Sequence, residues 1–465
     1  MSKPSDIKIL DVRTRLSRYD CRAPIKFGNC VTTDISVMEV VVRVRSRKFR
    51  EAVGYGSMTR GIGWSFPADM VDTEKKVAAM DRLILTLSDV MPDLSGGEYL
   101  HPLDWGVLIE TWIEKELQVI KGDMGLEAAI PLLAGLVAVS PFDAAIHDGF
   151  GRVNNMDCYN GYGKEFMNHD LSYYLDSEYS GEYPDSYIRS RPCPEMPLYH
   201  FVGALDALTD EDVAERVNDG RPETLKEWIR ADGLTHLKLE MNGKDLAWDI
   251  NRVDAVNRIA EEIEEESVAR NWRFSLDFNE QCEHVDYLRN FLSKLQEQSR
   301  PAFERIQYIE QPMNRNLRDH PENTVHEADS LKPVVIDEAL DGYERFLLSR
   351  EMGYSGIALN ACRGQSQALL FGVAAAKQKR FLCVQDLNCV STSFMHSASL
   401  AAHIPIVVAV EGNGRRYCPD ANRNMATIYP DVFTVRDGKI QTGELAGNGL
   451  CGVPEEYVRI VLTDQ

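Results

Sequence analysis

Three acidic residues close three successive apolar runs: Asp277 in FSLDFN, Glu310 in YIEQP and Asp337 in VIDEA. Converging carboxylates repel one another, and burying them is costly unless positive charge compensates. A hard divalent cation is the usual compensation. Three carboxylates, waters and a substrate oxygen make the octahedral oxygen set of Mg²⁺, and the same set would accept Mn²⁺. For any one acid alone, pairing with a basic neighbour is the better reading; three in order favour the metal. Asn279, Gln311 and Glu338 flank them as groups that would orient the ligands. Lys238, in the preceding run HLKLE, is read as the C-terminal end of that strand. A nearby cation disfavours an ammonium and moves the lysine towards the range of a useful base. A base beside a cation holding a carboxylate would remove the proton α to that carboxylate, leading to an enediolate.

Such groups need elements that bring them together. Thr235–Glu280 reads as one β-α-β unit, with a lysine at the end of one strand and an acid at the end of the next. Short β-like runs recur at 198–203, 236–240, 273–278, 306–311, 333–338, 356–360, 381–386 and 406–412, most separated by amphipathic, helix-length sequence. The strand-end residues Asp277, Glu310, Asp337, Asn360, Asp386 and Glu411 follow one another at intervals of 23 to 33 residues. This is the repeat of a (β/α)8-type TIM barrel, whose active sites lie at the strand C-termini. An open doubly wound sheet gives no reason for an ionisable or amide group at most strand ends.

The preceding region is expected to be β-rich at Ile7–Leu10 and at Ile35–Val44, the second strand continuing past a turn into Ala52–Gly56. Asp20–Thr33, with Arg22, Lys26 and Cys30, reads as a loop between them. The glycine-rich stretch Gly54–Gly63 fits neither the GxGxxG nor the GxxxxGK[ST] spacing, so a nucleotide site is rejected; it is a mobile lid or a plain turn cluster. Apolar periodicity predicts helices over Val77–Val90, Trp105–Ile120 and Ser140–Val153. Residues 413–465 show a β-hairpin signal around Asp437-Gly438 and end in a strand-like YVRIVL.

With 465 residues, the chain is expected to hold two domains. Its net charge of −21 argues against a nucleic-acid surface and against anionic lipid. The start MSKPSDIKILDVRTRL lacks a signal-peptide pattern, and no apolar run is long enough to span a membrane. The ten cysteines are scattered, with no CxxC pair, and read mostly as small core residues holding reduced thiols in a cytoplasmic protein.

At these residues the sequence resembles the enolase superfamily, specifically its mandelate racemase and muconate lactonizing enzyme-like branch. The marks are Lys238, Asp277-Phe-Asn279, Glu310-Gln-Pro312 and Asp337-Glu338, in order, with SPFDAAIHDGFGR resembling a capping-domain helix and Glu411 an eighth-strand acid. The resemblance implies Mg²⁺ on Asp277, Glu310 and Asp337 and a small-molecule carboxylate substrate, with substrate-covering loops at Asp20–Thr33 and Tyr55–Phe66 and a homo-oligomeric state. The implied layout is an N-terminal α+β capping domain over 1–165, an insertion or linker over 166–197, the barrel over 198–412, and a C-terminal segment, 413–465, packing back on the cap.

The departures bear on the reaction. His236 stands where the family often has the first lysine of Lys-x-Lys, and would contact substrate or hold Lys238 in place. Asn360 replaces an acid/base group on the sixth strand, and an amide cannot exchange protons at neutral pH. Gln385-Asp386 ends the seventh run where a histidine is common in the racemase-like branch. A one-base reaction is therefore favoured: dehydration of a hydroxy-acid or acid sugar, with Lys238 taking the α-proton. Glu411 either bonds substrate as a neutral acid or pairs with Arg415 or Arg416, and His200 either lines the pocket or is structural. Arg22 and Lys26 would reach the distal end of the substrate. A cycloisomerase, racemase or epimerase is the alternative, using Asp386 or Arg363 opposite Lys238. A non-catalytic binder on the same scaffold is the third reading.

Overall fold

The computed structural model describes residues 2–27, 30–67, 70–266 and 270–458. Eight parallel strands close into a barrel: β4 (Glu195–Val202), β5 (His236–Glu240), β6 (Arg273–Asp277), β7 (Ile306–Glu310), β8 (Val334–Ile336), β9 (Gly356–Asn360), β10 (Phe381–Gln385) and β11 (Val407–Glu411). Each strand pairs with the next, and β11 returns to β4 through Val410↔Leu198 and Glu411↔Tyr199. The register sets Glu240 beside Asp277 and Asp277 beside Glu310, so the strand-end acids form a lateral row at one rim. Inside, Tyr199, Tyr308, Val335, Ala358, Cys383 and Ala409 make a fully buried layer, the filled interior expected of eight strands. The chain is an α/β protein with this TIM barrel and a separate antiparallel sheet as its cap.

That sheet has the order β1 (Ile7–Phe27), β2 (Cys30–Ser46), β3 (Glu51–Thr59). Behind it pack α2 (Thr73–Leu94), α3 (Pro102–Asp123) and α4 (Leu132–Asn154), after a single turn, α1 (Ile62–Ser65). Apart from residues 28–29, which lie outside the described residues, the expected loop over Asp20–Thr33 is instead strand, the continuation of β1 and β2. Pairing resumes at Ile25↔Thr32 after an irregularity between Asp20 and Ile25, and that irregularity accommodates Pro24, which cannot donate to a ladder.

The glycine-rich stretch is neither a free lid nor a turn cluster over its first half. Gly54 and Gly56 lie within β3, pressed against α4: a Cβ on either would meet the Ala145 or Pro141 carbonyl oxygen at 2.1 Å. α4 itself is buried around nearly its whole circumference, beyond the single face that its apolar spacing suggested. Its Asp143 accepts from the Ser366 backbone at 2.8 Å, tying it to the barrel. Its Asp148 accepts from Tyr55 N and Leu450 N at 2.9 Å, tying it to the sheet and to the C-terminal segment.

Near the C-terminus the expected hairpin shrinks to one bridge, Arg436↔Lys439, around left-handed Asp437 and Gly438. Lys439–Gln441 (β12) pairs antiparallel with β4 instead, and Pro430–Phe433 is a helical turn. Tyr457, placed by sequence in a strand, also lies in a helical turn, and 459–465 fall outside the described residues. Among the described residues, no helix is long and apolar enough to cross a membrane.

Candidate active site

Lys238 points inward from β5, one layer above the tyrosines, and is 5% exposed. Its Nζ lies 3.0 Å from Asp277 Oδ2, 2.9 Å from Glu310 Oε1 and 3.2 Å from Glu411 Oε2. It also donates to Gln385 Oε1 at 3.0 Å, while Gln385 Nε2 donates to the Tyr308 hydroxyl at 2.5 Å. Gln385 was noted in the sequence only for standing where a histidine is common, and its contact with Lys238 was not foreseen. Burial alone would push the Lys238 ammonium down. The charges of Asp277, Glu310, Glu411 and Asp337 outweigh that and hold it well above the ordinary lysine range. In this arrangement the lysine is a cation, opposite in direction to the lowering expected beside a metal.

Asp337 is held from three sides. Asn360 Nδ2 and Arg363 Nη2 donate to its Oδ1 at 2.6 and 2.9 Å, and Trp64 Nε1, carried over from the cap, donates to its Oδ2 at 2.9 Å. Gln311 Oε1 accepts from the Asp337 backbone N–H at 2.8 Å, and Asn279 donates both backbone and side-chain N–H groups to Asp277 Oδ1. Asn279 and Gln311 occupy left-handed backbone (φ 42° and 31°), an uncommon state for non-glycine residues and one that clusters at functional sites.

The arginines considered as partners for Glu411 are engaged elsewhere. Arg415 pairs with Asp232 and His200, and Arg416 with Asp206. Glu411 instead takes Lys238 and, at 2.8 Å, Asn413 Nδ2. Burial raises its carboxyl, and Lys238 opposes that rise. Burial and Glu411 push Asp386 up to about 7. Its two oxygens accept from the Cys389 and Asn413 backbones, so it braces the rim rather than standing free opposite Lys238.

Three predicted residues lie apart from this cluster. His236 is at the base of β5, bonded to Thr235 Oγ1 at 2.9 Å, and burial with Arg273 nearby lowers it to about 4. It touches neither Lys238 nor the rim, because a strand's first residue sits at the opposite end of the barrel from its last. Arg22 is clamped by Asp219 at 2.5 and 2.8 Å and by the Pro222 carbonyl, which makes it a strut between hairpin and barrel. His200 points away from the barrel interior, against Trp228. Lys26, by contrast, lines a cavity of about 250 Å³ at the mouth, together with Glu240, Asn242, Lys244, Trp248 and Gln281. Asp277, Glu310 and Asp337 do not line that cavity; Glu240, two residues along β5 from Lys238, connects the two regions.

Asp277, Glu310, Asp337, Glu338 and Glu411 are all buried, with Lys238 and Arg363 as buried cations beside them, and burial with the neighbouring acids raises Glu310 and Glu338 well above the usual carboxylate range. Among the described residues, buried Glu310 Oε2 and Glu338 Oε2 find no hydrogen-bond partner. This oxygen-rich donor set fits a hard dication. As arranged, Lys238 fills the space between Asp277 and Glu310 while Asp337 is turned to Arg363 and Trp64. Accordingly, among the described residues no three His, Cys, Asp or Glu groups are already poised to hold a metal ion.

A family model described as "Enolase C-terminal domain-like" matches residues 221–453, half of the chain. The chain belongs to the enolase superfamily, in its mandelate racemase and muconate lactonizing enzyme-like branch. Among solved structures, it is similar to an enolase from Bradyrhizobium complexed with magnesium and mandelic acid (15% identity, 98% of each chain covered, TM-score 0.60). It is similar to 2-chloromuconate cycloisomerase from Rhodococcus opacus (16% identity, 97% and 99% covered, TM-score 0.60). A dipeptide epimerase from Enterococcus faecalis, complexed with Mg and L-Leu-L-Tyr, matches equally well (15% identity, 96% and 99% covered, TM-score 0.61). These relatives are enzymes, and at such identities the likeness establishes the shared fold. No curated protein sequence matches the chain.

Proposed function

We propose that this chain is an enzyme that removes the proton α to a substrate carboxylate through an enediolate intermediate, and specifically a dehydratase of a hydroxy-acid or acid sugar. The observation that carries the reading is Lys238 Nζ within 3.2 Å of Asp277, Glu310 and Glu411, at the mouth of a barrel whose sixth strand ends in an amide, Asn360. Asp277, Glu310 and Asp337 would hold Mg²⁺, or Mn²⁺; bound there, the ion would supply positive charge to a substrate carboxylate and offset the acids that keep Lys238 protonated. Lys238 would then be free to accept the α-proton. Glu411, raised by burial, would keep a proton to donate towards the leaving hydroxyl or a substrate oxygen. Lys26, Lys244, Asn242 and Gln281 offer a polar wall suited to a hydroxylated chain.

Asn360 bound to Asp337, together with Asp386 held by two backbone N–H groups, supports one base rather than two. The epimerase and cycloisomerase among the structural neighbours favour an isomerase as the second reading. Proton NMR in D₂O with Mg²⁺, across acid sugars and other α-substituted carboxylates, separates them. Loss of the α-proton signal with a 2-keto-3-deoxy product, absent in Lys238→Ala, is expected. Deuterium exchange or conversion without water loss would replace the dehydratase with an isomerase, and inertness of the metal-loaded protein across the panel would favour a binder.

A further inference from the structure

Cys21 and Cys418 are nearly 400 positions apart, yet their Sγ atoms lie 3.1 Å from each other. Cys21 sits half-buried in the irregular stretch of β1, and Cys418 lies buried just after the turn Gly414–Tyr417 that follows β11. Around them Ile25, Ile35, Val37, Phe201, Val390 and Tyr417 form a small apolar cluster of their own where the hairpin meets the barrel.

We propose that Cys21 and Cys418 form a reversible disulfide that fastens the cap hairpin to the barrel rim. Two thiols in van der Waals contact need little rearrangement to bond. The half-buried partner is also the better nucleophile: the contact with Cys418 lowers the Cys21 thiol, and the same contact and burial raise Cys418. With hydrogen peroxide as oxidant, the Cys21 thiolate takes one oxygen and expels hydroxide. The Cys418 thiol then displaces that oxygen as water, so two thiols lose two electrons and two protons while peroxide becomes two waters. The bond would hold the hairpin that carries Lys26 over the cavity. Arg22, four residues before Lys26, already clamps to Asp219, and Tyr417, beside Cys418, already bonds Asp206 at 2.7 Å.

The test is a peptide map of the native full chain, treated with hydrogen peroxide, alkylated and digested with trypsin. Tyr19–Arg22 and Tyr417–Arg423 each carry one cysteine. The expected result is these two fragments linked, two hydrogens lighter than their sum and released by dithiothreitol, with amide exchange across 19–26 slowed severalfold. Separate alkylation of both cysteines, linkage of Cys21 to Cys30 or another cysteine, or linkage only in denaturant overturns the proposal. Unchanged exchange in the linked protein overturns the fastening. Cys21→Ser and Cys418→Ser serve as controls, and the parent chain's map decides the question even if either fails to fold.

Discussion

Trp64, on the single turn that follows β3, donates its indole N–H to Asp337 at the end of the fifth barrel strand, 2.9 Å away. The same residue's carbonyl accepts from Arg315 at 3.0 Å, and the Arg363 guanidinium lies 4.8 Å above its ring. The cap is thus latched to the cluster by one side chain. A hydrogen bond to a charged acceptor contributes about 1.5–3 kcal/mol. Trp64→Phe should therefore open the turn roughly ten to a hundred times more often. Trypsin should cut the native variant after Arg60 at least several times faster than the parent; equal rates would show that the latch carries no such energy.

Lys238 is the counter-charge for three buried acids, so Lys238→Met should cost about 3–5 kcal/mol in the presence of a chelator. If the acids also accept a dication, millimolar Mg²⁺ or Mn²⁺ should restore more melting temperature to the variant than it adds to the parent. Melting curves with and without metal read this directly. A variant that metal fails to stabilise would remove Asp277, Glu310 and Asp337 as a metal site.

Asp157 gives a pH signature independent of the active site. Burial pushes it up to about 7, against the pull of the Tyr159 and Gly447 backbone N–H groups. His403, 3.7 Å away, is lowered to about 4 by burial and stays neutral over most of the relevant range. A carboxyl raised in the fold binds its proton more tightly there than in the unfolded chain. Its contribution therefore declines as pH rises from about 4 to about 7, by at most about 1.4 kcal/mol per pH unit. Asp157→Asn keeps the oxygen that caps Tyr159 and should flatten that decline. Denaturant titrations at several pH values in this window would show parent and variant converging or diverging; parallel curves would refute the assignment.

Gly56 and Gly122 should respond oppositely to alanine. At Gly56 the new methyl would sit 2.1 Å from the Pro141 carbonyl oxygen and 2.7 Å from the Ala145 backbone nitrogen, and neither can swing aside. We expect Gly56→Ala to lose about 3 kcal/mol or more, at or beyond the upper end of ordinary overpacking. Gly122, in α3, has open space around it, and alanine there should gain up to about 1 kcal/mol. Denaturation midpoints of the two variants decide this.

The barrel was legible because its strands are short, apolar and regularly spaced, and because most end at or next to a residue of distinct chemistry. Asp277, Glu310, Asp337 and Glu411 could be found from that rule alone, whereas Lys238, expected at a strand end, lies two residues inside the end of β5. What stayed hidden depends on docking between distant segments. Nothing near Trp64 in sequence points to Asp337, nothing near Arg22 points to Asp219, and Cys21 gives no sign of Cys418. The hairpin's length was missed for a local reason, since Pro24 and the polar residues around it read as a loop while the backbone absorbs them in a bulge. His236 falls below the site because it stands two residues before Lys238, at the start of β5, a separation that its place in the motif already gave.

The position of α4 has a consequence for how the molecule melts. One helix is clasped by the sheet through Asp148 and Tyr55, by the barrel through Asp143 and Ser366, and by the C-terminal segment through Arg152 and Val453. None of these parts can loosen without exposing a face of the same helix, so their free energies are shared. Calorimetry should accordingly record a single cooperative endotherm, with sheet and barrel unfolding together, where two loosely joined bodies would give two.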